Sequence, residues 1–226
     1  MIGVVLSHFR VRAHVLGTEL LVQCGRAWRQ IRPRLFPNDD LSYDSLGHDE
    51  AYVRRVWYPG ARVEFDGYGD IPLAHRRPTH PEDVLVLGGS RYDVIADPMS
   101  ARNLLGLVQP FIFGSVRELF SQVVQSPGSH SAYVPAGTDM ERSAGYVLCS
   151  NLHLAEPDKI LLRDGSGEMH LMHVKDRFVL ESVIAKEIKL GQQFHDLVVR
   201  LVLDNPFQAP GIPESRCYPV ISHVMF

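Results

Sequence analysis

The chain is short of cysteine, has no long apolar run, and carries no surplus of charge of either sign. Its three cysteines, Cys24, Cys149 and Cys217, stand far apart with no C-x-x-C pair. An odd, scattered set excludes a disulfide framework and predicts free thiols in a reducing compartment. The first apolar run, 2–6, is followed at once by His8, Arg10 and Arg12, whereas a secretory leader wants roughly 7–15 apolar residues. No window approaches the ~18 uncharged apolar residues of a membrane span, so no membrane partner is expected. With 23 Lys and Arg against 26 Asp and Glu and a pI near 6.4, the chain lacks the positive excess of a protein that coats nucleic acid. Hydrophobic residues at 45% and charged residues at 22% of 226 exclude disorder and low complexity, and the length suits one large domain or two small ones.

What is present is strand and turn. Eighteen glycines and fifteen prolines favour a loop-heavy β fold over a helix bundle. Phe9, Val11, Ala13 and Val15 alternate with Arg10, Arg12 and His14, the period of a half-buried strand, and 20–22 extends the sheet. From Cys24 the spacing changes: Cys24, Ala27, Trp28, Ile31 and Leu35 recur at three or four, which predicts a helix ended by Pro33. Its other face carries Arg26, Arg29 and Arg32, with Arg34 just beyond. The stretch 37–50 that follows has five acidic residues and no Lys or Arg and reads as a solvated loop.

Between 53 and 105, Pro-Gly and Asp-Gly turns punctuate short runs such as 61–65, and 84–87, Gly88-Gly89 and 91–95 predict a hairpin. Ser115 and Glu118 form an S-x-x-E capping box for a helix over 115–125. Strands are expected at 145–154, 159–162, 169–174 and 194–203, with a turn at 164–167 and a second amphipathic helix at 179–190. Pro206, Pro210, Pro213 and Pro219 make 204–226 an extended arm that ends in the apolar tip Val220, Ile221, Val224, Met225 and Phe226. Tyr58-Pro59-Gly60 before 81–86 echoes 133–137 before 157–162, as a duplicated hairpin unit would. The expected fold is mainly β with two or three helices: small antiparallel barrel or sandwich modules, with a possible internal duplication. Its parts are an N-terminal strand, basic helix and acidic loop (1–52), a body in two halves (53–105 and 106–203), and the C-terminal arm (204–226).

From Gly106 onward the sequence is similar to small β-barrel neck proteins of tailed bacteriophages, the head-completion or stopper class. The likeness runs through Gly106-Leu107-Val108-Gln109-Pro110, Ala136-Gly137-Thr138-Asp139, 154–162, Asp164-Gly165 and 169–174, about half the chain. In that class a V-Q-P strand precedes a D-x-I…G…Y-x-V hairpin; here Met169-His170-Leu171 replaces the aromatic of the return strand, and the proline-rich arm has no counterpart. The resemblance implies a virion structural protein assembled in the bacterial cytoplasm. It would form a ring with itself that joins capsid portal or adaptor to tail, with at most passing contact with DNA. A tail or baseplate protein is the neighbouring alternative.

For such a protein the residues offered to partners are Arg26, Arg29, Arg32 and Arg34, together with Val220, Ile221, Val224, Met225 and Phe226. The arginine face suits solvent first, then an acidic partner, nucleic acid or the chain's own 39–50 loop, and the arm equally suits its own domain. An alternative of another class is a small cytosolic hydrolase. Cys24-Gly25 before Trp28 would place a thiol at a helix N-terminus, where its pKa falls, and eleven histidines offer bases. His170 and His173, three apart on a strand, point to opposite faces and cannot readily share a metal. His48-Asp49-Glu50 has no partners at ligand spacing, and Gly88-Gly89-Ser90 lacks the lysine of a P-loop. The expectation is a non-enzymatic protein without cofactor, metal or catalytic residues.

Overall fold

A computed structural model describes residues 1–12, 15–36, 39–42, 57–86, 93–96, 98–126, 129–174 and 193–225; for 8–12, 15–16, 35–36, 39–42, 96 and 193–194 it gives the backbone alone. The fold is mainly β, with three sheets and two α-helices among those residues. The chain divides into two units, Met1–Arg76 with Glu82–Leu107, and Arg77–Pro81 with Val108–Phe226.

The first unit is built on a meander of three long strands, β1 (Ile2–Arg12), β2 (Val15–Cys24) and β3 (Ala27–Phe36). The short strand β4 (Asp39–Ser42) lies against β2 and β3, while β5 (Arg62–Glu64) and β8 (Asp93–Ala96) extend the sheet beyond β1. On the other side β7 (Asp83–Val86) runs parallel to β3, and β6 (Tyr68–Asp70) closes that end. Val5, Leu20, Val22, Ile31, Val63, Phe65 and Val84 share one core with Trp57, because alternate residues of paired strands face the same side.

The expected helix at 24–35 is a strand. Leu20 to Cys24 pair with Ile31 to Ala27 around the Gly25-Arg26 turn, and Gly25 takes a φ of +64° that suits glycine. The three-or-four spacing misleads because Cys24, Ala27 and Trp28 lie exposed at the hairpin end while Ile31 enters the core. Pro33 does not break β3. On that edge it falls between the residues paired to β2 and those paired to β4, where no N–H is called on. The hairpin expected from 84 to 95 is also absent: β7 pairs with β3 and β6, and β8 with β5, at opposite ends of the sheet. Its Gly88-Gly89 turn lies outside the described residues. The matching unit at 159–173 does form a hairpin, so the two halves of the supposed duplication pair differently.

In the second unit the long strand β12 (Ala144–Glu156) changes partners midway. Its first half pairs with β16 (Leu197–Leu203) and its second with β13 (Lys159–Asp164), with a register shift near Asn151. β13 turns into β14 (Met169–His173), and β18 (Pro219–Met225) lies between β14 and β16. The pairings therefore close a circuit, β12–β13–β14–β18–β16–β12, joined at β14–β18 by the single parallel pair His173↔Val220. Inside lie Val147, Leu152, Leu154, Ile160, Leu162, Met172, Val199, Leu201 and Ile221. On the face opposite them, Arg200 stacks its guanidinium 4.8 Å from the ring centre of Tyr146, its partner across the sheet.

β9 (Ile112–Phe113) runs parallel to β12 and β15 (Gln193–Phe194) antiparallel to it. A small sheet of β10 (Val124–Gln125), β11 (Ala132–Pro135) and β17 (Arg216–Cys217) completes the unit. The first helix, α1 (Ala101–Val108), is followed by a 3-10 turn at Gln109–Phe111, so Val108-Gln109-Pro110 is not the strand of the phage pattern. The second, α2 (Val116–Leu119), has the expected cap: the Ser115 side chain accepts the Glu118 N–H at 3.0 Å. It stops after one turn instead of reaching 125, because Val123 turns into the core and Val124 pairs with Tyr133. The helix expected at 179–190 lies outside the described residues.

The C-terminal arm is also corrected. Of its prolines only Pro219 enters a strand, as the first residue of β18, and the rest lie in the preceding loop. The apolar tip, offered either to a partner or to its own domain, is a core strand of its own domain, with Val220, Ile221, Val224 and Met225 all buried.

Candidate functional site

Strand geometry separates the four arginines expected on one helical face. Arg26 occupies the β2–β3 turn and Arg29 the exposed end of β3, its guanidinium 5.7 Å from the ring centre of Tyr68. Arg32 and Arg34 are buried. Arg32 Nε donates to Asp83 Oδ1, and Arg34 Nη1 lies 3.8 Å from Oδ2 of the same carboxylate. The parallel ladder sets this up, since Arg32 is registered with Asp83 across β3 and β7.

A second buried acid lies one strand away: Ser7 Oγ donates to Glu19 Oε2 at 2.6 Å. Glu19 precedes Leu20, whose partner Ile31 precedes Arg32. Asp83 thus faces both buried cations within the sheet, as buried charges need partners. These arginines neutralise the chain's own acids and are not surface for a partner. Asp83 supplies this neutralisation, and its place in a P-E-D-V start gave no sign of it.

Cys24 closes β2 at an exposed site with its Sγ 3.4 Å from the Tyr68 hydroxyl. Burial first, and then the neighbouring Cys24, raise the Tyr68 pKa above its ordinary value. The thiol does not stand at a helix N-terminus, so the ground on which it was read as an activated nucleophile is removed. Cys149 and Cys217 are buried. Burial pushes the Cys149 thiol up to about 12, which suppresses the thiolate on which nucleophilic and metal-binding chemistry depends.

His170 and His173 do face opposite ways, His170 at 1% exposure and His173 in solvent with Asp158 3.4 Å away. His170 belongs instead with Asp164 and Glu168, whose potential ligand atoms lie within 4.8 Å of one another. Asp164 is fully buried at the β13–β14 turn. Its Oδ1 accepts from the Ser166 N–H (3.0 Å), Ser166 Oγ (2.6 Å) and the Glu168 N–H (3.1 Å). Its Oδ2 accepts from the Val116 N–H (3.0 Å) and faces His170 Nε2 at 3.1 Å. A carboxylate only accepts, so His170 supplies the proton in that contact.

Burial alone would raise the Asp164 pKa, but the bonds from Ser166, Val116 and His170 outweigh it and hold the carboxyl below its ordinary value. With both oxygens committed to protein donors, Asp164 serves as a hub tying the hairpin turn to the first turn of α2. A cation would have to displace those bonds. Asp164-Gly165 had been read simply as a turn, and a D-x-S pattern before a Gly is the sequence mark of such an Asx-type hub.

The remaining prominent feature is the segment 204–215 between β16 and β17. It holds the exposed Phe207 and a surface hollow of about 450 Å³ lined by Gln208, Ala209, Pro210, Gly211, Ile212 and Pro213. Phe226 of the expected apolar tip and the triplet His48-Asp49-Glu50 lie outside the described residues. Among those residues no helix is long and apolar enough to cross a membrane.

No protein-family model matches the chain, and no curated protein matches it. Among solved structures, a murine DNA-binding protein bound with double-stranded DNA aligns over 100% of this chain and 94% of that one, at 11% identity and a TM-score of 0.34. At that score the likeness carries no argument about fold or function.

Proposed function

We propose that the protein is a structural assembly component of a tailed-phage particle: a ring-forming neck protein that joins portal to tail and works through surfaces, without catalysis. The observation that supports this reading best is where the resembling residues fall. The segments 154–162, Asp164-Gly165 and 169–174 make up the β12–β13–β14 part of a closed five-strand circuit, a small β module of the kind the resemblance implies. The Val108-Gln109-Pro110 element departs from the pattern, so the proposal leans on the hairpin. Two sets of buried ionisable groups are also spent on one another, Arg32 and Arg34 with Asp83, and Asp164 with His170, as a scaffold's would be.

The test is electron microscopy of the full-length protein, alone and mixed with purified portal rings. Annular particles that stack on the portal are expected. Dispersed single chains in both samples would overturn the proposal.

A further inference from the structure

The sequence contains two Asp-Gly steps, Asp66-Gly67 and Asp164-Gly165. In this dipeptide the side-chain carboxyl is open to attack by the next main-chain nitrogen, because glycine has no Cβ to crowd the approach. The fold places the two steps in opposite circumstances.

Asp164 is fully buried, and its oxygens accept from Val116, Ser166 and Glu168 besides facing His170. The Gly165 N–H donates to Leu148 O at 3.0 Å. A Cβ on Gly165 would stand 2.5 Å from Gly114 O, so this turn is also closely packed. Ring closure at Asp164 would have to break every one of those bonds inside the core.

Asp66 lies in the link 65–67 between β5 and β6, outside both strands. It is exposed, and among the described residues its carboxylate has no hydrogen-bond or ion-pair partner. Gly67, at a φ of +154°, is covered, but closure joins adjacent residues and needs no second molecule to reach it. On the other side of Asp66, Phe65 is buried in the core and its N–H donates to Met1 O at 2.9 Å.

We propose that Asp66-Gly67 is a site of spontaneous conversion of aspartate to isoaspartate, and that the bonds around Asp164 protect the second step. The Gly67 nitrogen bonds to Asp66 Cγ as the Cγ–OH bond breaks, and the hydroxyl leaves with the amide hydrogen as water. Water then adds to the Asp66 main-chain carbonyl carbon of the cyclic imide, and the bond from that carbon to the Gly67 nitrogen breaks. The chain now runs through Cγ and is longer by one methylene, with the former main-chain carbonyl left as a carboxylate side group. No oxidant, metal or enzyme is required. The added length falls beside Phe65, so the conversion loosens the pairing of β5 with β1 and weakens the first unit. The proposal rests on this link alone and stands apart from the neck reading.

The test ages the folded full-length protein and Asp66→Glu, whose longer side chain closes the ring far less readily, at mildly acidic pH and physiological temperature. Peptide mass spectrometry with electron-transfer fragmentation then locates isoaspartate. The wild type should accumulate it at 66, with an imide form lighter by one water, while 164 stays unconverted; in urea both steps should convert alike. The thermal midpoint of the aged wild type should fall, and that of aged Asp66→Glu should not. Absence of isoaspartate at 66, or equal conversion at 66 and 164 in the folded protein, overturns the proposal. Conversion at 66 with an unchanged midpoint overturns its link to the β1–β5 pairing.

Discussion

Asp83 holds two buried arginines, and that arrangement fixes what its loss would do. Asp83→Ala leaves Arg32 and Arg34 without their shared carboxylate inside the sheet, and removing one partner of a buried ion pair costs about 3–5 kcal/mol. Chemical denaturation should show a loss of that size, whereas the exposed Arg26→Ala and Arg29→Ala should stay within about 0.5 kcal/mol. Equal effects at the three positions would contradict the division into exposed and buried arginines. Asp164 adds a pH signature. Its folded pKa is depressed, so its stabilisation is complete above the unfolded carboxyl value of about 3.9 and is lost as pH falls through the folded value. The gap in thermal midpoint between wild type and Asp164→Asn should be widest near neutrality and close under acid; a gap independent of pH would count against the hub. Thiol titration of the folded protein should find Cys24 alone, because Cys149 and Cys217 are buried. Rapid labelling of all three would contradict the core as described.

At the scale of elements, close packing makes two glycines unequal. A Cβ on Gly165 would stand 2.5 Å from the backbone oxygen of Gly114, which has little room to yield, whereas one on Gly137 meets open space and only a φ of +82° opposes it. Gly165→Ala should therefore cost clearly more than Gly137→Ala, whose penalty is about 1 kcal/mol; the reverse order in unfolding midpoints would show that the hairpin turn does not abut Gly114. The 145–174 region was legible in sequence because each strand alternates and is bounded by glycine or proline turns. The 24–35 segment was not, because β3 buries Arg32 and Arg34 alongside Ile31 and Pro33, which erases the period of two. The 115–125 helix was half legible: local capping chemistry starts it, but Val123 and Val124 answer to the core and to β11, contacts that sequence spacing cannot express. The last strand was hidden by its prolines, which crowd the loop and spare the strand interior. The candidate sites were the least legible part, since Asp83 and Arg32 meet only through a parallel ladder across 51 positions of sequence.

At the scale of the whole molecule, the second unit is completed by the last strand of the chain. β18 pairs with β16 through six positions and carries Ile221 and Val224 into the core. A protein that acts by assembling, as proposed, must form multimers, and native mass spectrometry of the full-length wild type measures that most directly. A closed multimer of more than two copies is the predicted result. A single-chain mass across the whole soluble concentration range would contradict the account.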